Sequence, residues 1–207
     1  MIIEAYRGIN YDPIHVDVPT PDIKWNPQRP DPQTPFWKLA GYQQCMGNGF
    51  QNLANWLGEM DSNLVGFAKM DTFSYYHGYE IWLKQNNKKP GDWQIYGSQF
   101  HCDYLNVILQ NAGSRYRLHR LGDTHIDDVA EYHEKFRRPA LLGMSWTKSG
   151  HIITSKDTIR KKDELYGLVC SDPYGLKPYI QRYGHNIIYE KHEFINNISS
   201  FIRIDMI

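Results

Sequence analysis

The chain has 207 residues, 41% of them hydrophobic, and its 23 basic residues balance 23 acidic ones at net charge zero. That length gives one large domain or two small ones with enough apolar mass for a core, and a single domain over 1–207 is the expectation. The charge balance offers no basic surface for nucleic acid and no like-charge tail. No stretch approaches the ~18 consecutive apolar residues of a membrane span. The opening Met1-Ile2-Ile3-Glu4-Ala5-Tyr6-Arg7 has no basic segment followed by a long apolar one. Synthesis in the cytoplasm without a signal peptide is therefore expected. Cys45, Cys102 and Cys170 are odd in number and far apart, which is not a disulfide framework.

Residues 12–35 hold seven of the eleven prolines and predict an extended arm. From Cys45 to Met60, Phe50, Leu53, Ala54 and Leu57 recur at helical spacing, with Gly58 as a plausible end. A tyrosine-rich helix is predicted over 72–86. A third runs over 98–112, with Ser98 as its cap and Gly113 as its stop. A fourth spans about His125 to Phe136, with Thr124 and Asp127 as a cap pair and Pro139 beyond its end. The pattern then changes to short β-branched or aromatic runs: Ala140–Trp146, His151–Ser155, Tyr166–Cys170, Asn186–Tyr189 and Phe201–Ile204. A helical half (45–137) followed by antiparallel strands (139–207) predicts an α+β domain, with N-terminal helices packed on a C-terminal sheet.

Three residues stand out against this frame. His151 opens a strand after Gly150, and Asp172 closes another just before Pro173-Tyr174-Gly175. Neighbouring antiparallel strands set that carboxylate beside the imidazole, an arrangement that orients a general base. Cys45, at a helix start, is the nucleophile such a base requires. A helix N-terminus and an imidazolium both favour the thiolate. His151 would take the thiol proton and later give it to the leaving amine, while Asp172 fixes the ring tautomer. The backbone N–H of Cys45 can serve as one oxyanion donor.

The other polar candidates have plainer readings. Cys170 is expected in the core. His101, Cys102 and Asp103 are sequence neighbours on a helix and point apart, so no metal site is expected there, and His185 and His192 lack metal-type spacing. Asp172 also suits a turn, and the tyrosines and tryptophans suit core and rim, a minority of them a cleft.

The run Cys45-Met46-Gly47-Asn48-Gly49-Phe50-Gln51-Asn52-Leu53-Ala54-Asn55-Trp56-Leu57-Gly58 resembles the nucleophile helix of papain-like cysteine peptidases of the double-glycine-leader-peptidase type. Pro139-Ala140-Leu141-Leu142-Gly143 through Ser149-Gly150-His151-Ile152-Ile153 is similar to that family's strand, loop and Gly-His segment. Leu168-Val169-Cys170-Ser171-Asp172-Pro173-Tyr174-Gly175 is similar to its Asn-Asp-Pro-Tyr-Gly turn. Tyr183-Gly184-His185-Asn186-Ile187-Ile188-Tyr189 resembles the end of stand-alone phage-lysin members. Met46 and Asn48-Gly49 depart from the family, whose helix continues with small Thr-Ser residues.

The resemblance, over roughly residues 28–204, implies a papain-like fold and a Cys45-His151-Asp172 triad without metal or cofactor. It also implies an oxyanion glutamine upstream: Gln33 is favoured, and Gln43 and Gln28 stay open, with Gln44 adjacent to the cysteine and badly aimed. A rival register puts Gly49-Phe50 where papain itself has its Cys-Trp pair, with Gln43 six residues earlier, and makes the chain a catalytically dead relative. The substrate class implied is the stem or bridge peptides of peptidoglycan, reached at the cell wall after release or delivery. The alternatives are a non-catalytic binding module and a transglutaminase-like acyl transferase.

Overall fold

The computed structural model describes residues 4–6, 44–70, 72–88, 93–146, 150–172 and 184–207. The proline-rich arm predicted over 12–35 lies outside them. The elements in chain order are β1 (Glu4–Tyr6), α1 (Gln44–Met60), a 3-10 segment (Ser62–Phe67), α2 (Thr72–Gln85), α3 (Trp93–Asn111), β2 (Tyr116–Leu121) and α4 (Ile126–Phe136). They continue with β3 (Ala140–Met144), β4 (His151–Lys161), β5 (Glu164–Asp172), β6 (Gly184–Glu190), α5 (Lys191–Phe194) and β7 (Ile198–Met206). The molecule is α+β, as its sequence pattern predicts.

One antiparallel sheet runs in the order β2-β7-β3-β4-β5-β6. β3 pairs with the first half of β4, and β1 takes the same edge beyond it, Tyr6 against Thr158 and Glu4 against Arg160. The period of two divides the strand residues between two cores. Leu141, Ile152, Ile202 and Ile204 pack with α1, α2 and α3 on one face. Leu142, Ile153, Leu168, Cys170, Ile187, Tyr189 and Phe201 pack with Ile126, Val129 and Tyr132 of α4 on the other. The helical half therefore does not lie on one side of the sheet: α4 crosses to the opposite face, and the sheet is buried between two helical layers.

Several boundaries differ from their sequence expectations for identifiable reasons. Gly58 does not end α1. It sits where an added Cβ would lie 2.1 Å from the Ala68 backbone nitrogen, so it allows the following segment to fold back on the helix. The chain over α3 breaks at Gly97 (φ 57, ψ −166), and regular helix resumes at the expected Ser98, whose hydroxyl receives the Arg120 guanidinium at 2.7 Å. In α4 the cap pair is His125 and Asp128 instead of Thr124 and Asp127. His125 Nδ1 accepts the Asp127 N–H, and Asp128 returns to the His125 N–H at 3.1 Å. The Thr124 hydroxyl turns to the Gly122 carbonyl and Asp127 pairs with Lys191 at 2.8 Å.

Two strands were not predicted. β1 is a three-residue edge piece. β2 alternates buried Tyr116 and Leu118 with Arg117, His119 and Arg120, a polar pattern that masks its period. Its Leu118 is held by a side chain acting as a strand: Asn106 of α3 donates to the Leu118 carbonyl and accepts its N–H, both at 2.8 Å.

Two histidines lie deep in the packing. His101 stacks on Tyr79 at 4.0 Å between centroids and on Phe50 at 5.0 Å, and its Nδ1 accepts the Tyr75 hydroxyl at 2.6 Å. His133 Nδ1–H donates to the Arg138 carbonyl at 2.8 Å and its Nε2 accepts the Ser155 hydroxyl at 2.9 Å. Burial holds His101 down at about 3 and His133 at about 4. Both values lie below the ordinary ~6.5 of an unfolded chain, so the unfolded state binds more protons across that window. Their contribution to stability is complete above pH 6.5 and is lost as pH falls toward 4 and 3. Urea unfolding at pH 7, 5.5 and 4.5 should show a falling midpoint, and His101→Phe, which keeps the ring stack, should flatten that slope. An unchanged slope in a folded His101→Phe would contradict this account.

Candidate active site

The site begins with strand register. Thr154 pairs with Ser171 and Ser155 with Cys170. Continuing that ladder sets Asp172 opposite Ile153, one same-face step from His151, a diagonal within reach of an imidazole. Gly150 supplies the entry: its φ of +76° is a left-handed backbone that glycine adopts without strain, and it delivers the chain into β4. His151 Nε2–H then donates to Asp172 Oδ1 at 2.7 Å, with both side chains almost wholly buried (1% and 0% exposed). The Tyr189 hydroxyl donates to the other carboxylate oxygen, Oδ2. Trp146 lies against Tyr189 at 4.8 Å and 6.4 Å from the His151 ring, and its indole N–H is anchored on the Glu193 carbonyl at 3.0 Å.

Cys45 stands in the first turn of α1, buried at 6% exposure. Its side chain acts on the His151 ring. Burial alone would push His151 down. Hydrogen bonds with Asp172 and Cys45, and the charges of both, outweigh it and hold the ring up at about 9. These interactions favour the charged form of the His151 ring. One ring nitrogen, Nε2, is committed to Asp172.

Two glycines fix where α1 starts. Gly47 donates its N–H to the Tyr76 hydroxyl at 3.0 Å, and an added Cβ would fall 2.2 Å from that oxygen. Tyr76 of α2 therefore satisfies one of the unpaired donors of the helix's first turn. Gly49 faces the sheet, where a Cβ would meet Ile152 and Leu141 methyls at 3.0 Å. Gly49 marks the close approach of the helix to β3 and β4. Phe50 is fully buried beside Gly49, and among the described residues it is Cys45 that acts on His151. Farther along α1, Asn52 donates to Thr154 of β4 at 3.2 Å and ties the same two elements together.

The glutamines Gln33, Gln28 and Gln43 lie outside the described residues, as does the Pro173-Tyr174-Gly175 turn. Gln44 is the first residue of α1. Cys170 sits in the α4-side core and Cys102 is buried in the other, where burial first and then the Asp103 charge push its thiol up to about 12. His101, Cys102 and Asp103 do not converge, for Asp103 turns outward to accept from Gln99 at 2.8 Å. Among the described residues no group of three or more histidine, cysteine or carboxylate side chains is arranged to hold a metal, and no helix is long and apolar enough to cross a membrane.

Tyr189 and Trp146 are the site residues that sequence patterning missed. Both read as ordinary strand residues, and the only signal for Tyr189 is that it shares a strand face with Ile187. No protein-family model, curated protein or solved structure matches the chain.

The His151 ring should titrate near pH 9 when followed by NMR of its carbon-bound protons. Asp172→Asn keeps the shape and removes the charge, and should move that midpoint down by at least one pH unit. A midpoint near 6.5 in the wild type would contradict the arrangement.

Proposed function

We propose that the chain is a thiol hydrolase, a cysteine peptidase or amidase of papain-like type, with Cys45 as nucleophile, His151 as general acid and base, and Asp172 as the group that orients and charges His151. The observation that carries this reading is the buried His151–Asp172 hydrogen bond at 2.7 Å, in a ring kept cationic to about pH 9 with Cys45 acting on it. A structural histidine in an apolar setting behaves in the opposite way, as His101 and His133 do.

The reaction follows from the parts. The Cys45 sulfur, as thiolate, attacks the amide carbon; a C–S bond forms and the carbonyl π pair moves onto oxygen. The Cys45 backbone N–H at the start of α1 stabilises that oxyanion, with an upstream glutamine, Gln33 in the favoured assignment, as the second donor. The oxyanion collapses, the C–N bond breaks, and the imidazolium proton of His151 goes to the leaving amine. Neutral His151 then takes a proton from water, hydroxide adds to the thioester, and the C–S bond breaks to release the acid and the thiolate. The residue pattern shared with stand-alone lysins supports peptide bonds of peptidoglycan as the substrate class, met at the cell wall after release or delivery.

A second reading is a papain-like binding module that no longer turns over. The burial of Cys45 at 6% exposure favours it, because a nucleophile must be reached. Incubation with purified peptidoglycan separates the two. The hydrolase releases new free amines at a rate that Cys45→Ala lowers at least 1,000-fold, a loss typical for removal of a covalent nucleophile. Equal release by both proteins, or none by either, removes the hydrolase reading for this substrate. Labelling of Cys45 by a thiol-reactive peptide mimic at neutral pH then decides between another amide substrate and the inert module.

A further inference from the structure

Among the described residues, each oxygen of the Asp172 carboxylate has a donor: His151 on Oδ1 and Tyr189 on Oδ2. Tyr189 is 2% exposed, and its ring is clamped by Trp146 at 4.8 Å and Phe194 at 6.1 Å. Burial first, and the neighbouring Asp172 charge next, raise its phenol far above the ordinary range, so the O–H stays protonated and remains a donor. The groups acting on His151 are Asp172 from β5 and Cys45 from α1, while Cys170 and Glu193 lie near enough to Tyr189 to act on its phenol.

We propose that Tyr189 is a positioning residue of the triad, which locks the Asp172 carboxylate in one orientation and withdraws part of its charge, thereby setting how readily His151 gives up its proton. Two donors on one carboxylate compete for the same negative charge. A carboxylate bonded only by His151 would hold the imidazolium more tightly, and a more tightly held proton is a poorer acid toward a leaving amine. The Tyr189 hydroxyl therefore weakens the acceptor that His151 faces while keeping it aimed. This rests on the thiol hydrolase reading for its catalytic meaning, but the effect on the ring's proton is independent of any substrate.

The test is the His151 titration in Tyr189→Phe, which removes the hydroxyl and keeps the clamped ring. The midpoint should rise by about one pH unit, a tenfold gain in proton affinity, opposite to the fall in Asp172→Asn. With an amide substrate, kcat should fall about tenfold, KM should change less than twofold, and the alkaline limb of the pH profile should move up with the midpoint. Should Tyr189→Phe fail to fold, 3-fluorotyrosine at position 189 supplies the converse arm: a more acidic phenol donates more strongly and should lower the midpoint. A midpoint that stays put or moves the other way in a folded variant overturns the proposal. An absent amide hydrolysis in the wild type, with the titration shifts as stated, overturns the hydrolase reading alone.

Discussion

A carboxylate taken fully out of water is costly unless its charge is answered, and Asp172 is fully buried. The structure around it is organised by that requirement. His151 answers it as a cation from the neighbouring strand and Tyr189 as a neutral donor from the strand beyond. Each depends on register, since a slip of one residue in β4 or β5 would turn the histidine or the aspartate to the opposite face. The ladder of β3, β4 and β5 is fixed by the two hydrophobic faces it separates. The polar pair at its end is thus held by the same alternation that makes the cores.

The Cys45 side has a different origin. Cys45 belongs to α1, and its position depends on how near that helix comes to the sheet. Gly49 removes the side chain that would stand between α1 and the Leu141 and Ile152 methyls, and Gly47 makes room for Tyr76 to meet the helix's first turn. A helix with glycines this early loses propensity, about 1 kcal/mol at each. The loss is offset by tertiary packing, for Phe50, Leu53, Ala54 and Leu57 are fully buried. The close approach of α1 to the sheet is therefore set by the missing side chain at Gly49.

Much of this was legible in the chain before folding. The apolar spacing of α1 and α4, the stops at Gly113 and Pro139, and the short aromatic and β-branched runs after residue 139 all carry their own physical signal. So does a polar residue at the end of an apolar strand, which singled out His151 and Asp172. What escaped were features decided by tertiary contact. β2 exists because Tyr116 and Leu118 find a core and Asn106 completes the backbone pairing of Leu118, not because its arginines and histidine favour a strand. Gly58 suggested a helix end when it is a contact point, and the cap pair is His125 and Asp128, one residue on from the expected pair, while Asp127 meets both Lys191 and His125. Tyr189 was invisible as a site residue, since a tyrosine in a strand looks the same whether its hydroxyl meets water or a buried carboxylate.

A cationic His151 held by Asp172 beside Cys45 is measured most directly by the charge selectivity of Cys45 alkylation. Ordinary thiols react faster with neutral iodoacetamide than with iodoacetate. The rate constants of both reagents at Cys45, followed by mass spectrometry between pH 6 and 9, should show the reverse order, with the anionic reagent drawn in by the imidazolium. The preference should disappear as the pH passes about 9 and should be lost in Asp172→Asn. Iodoacetamide reacting faster throughout, with no change in Asp172→Asn, would contradict the account.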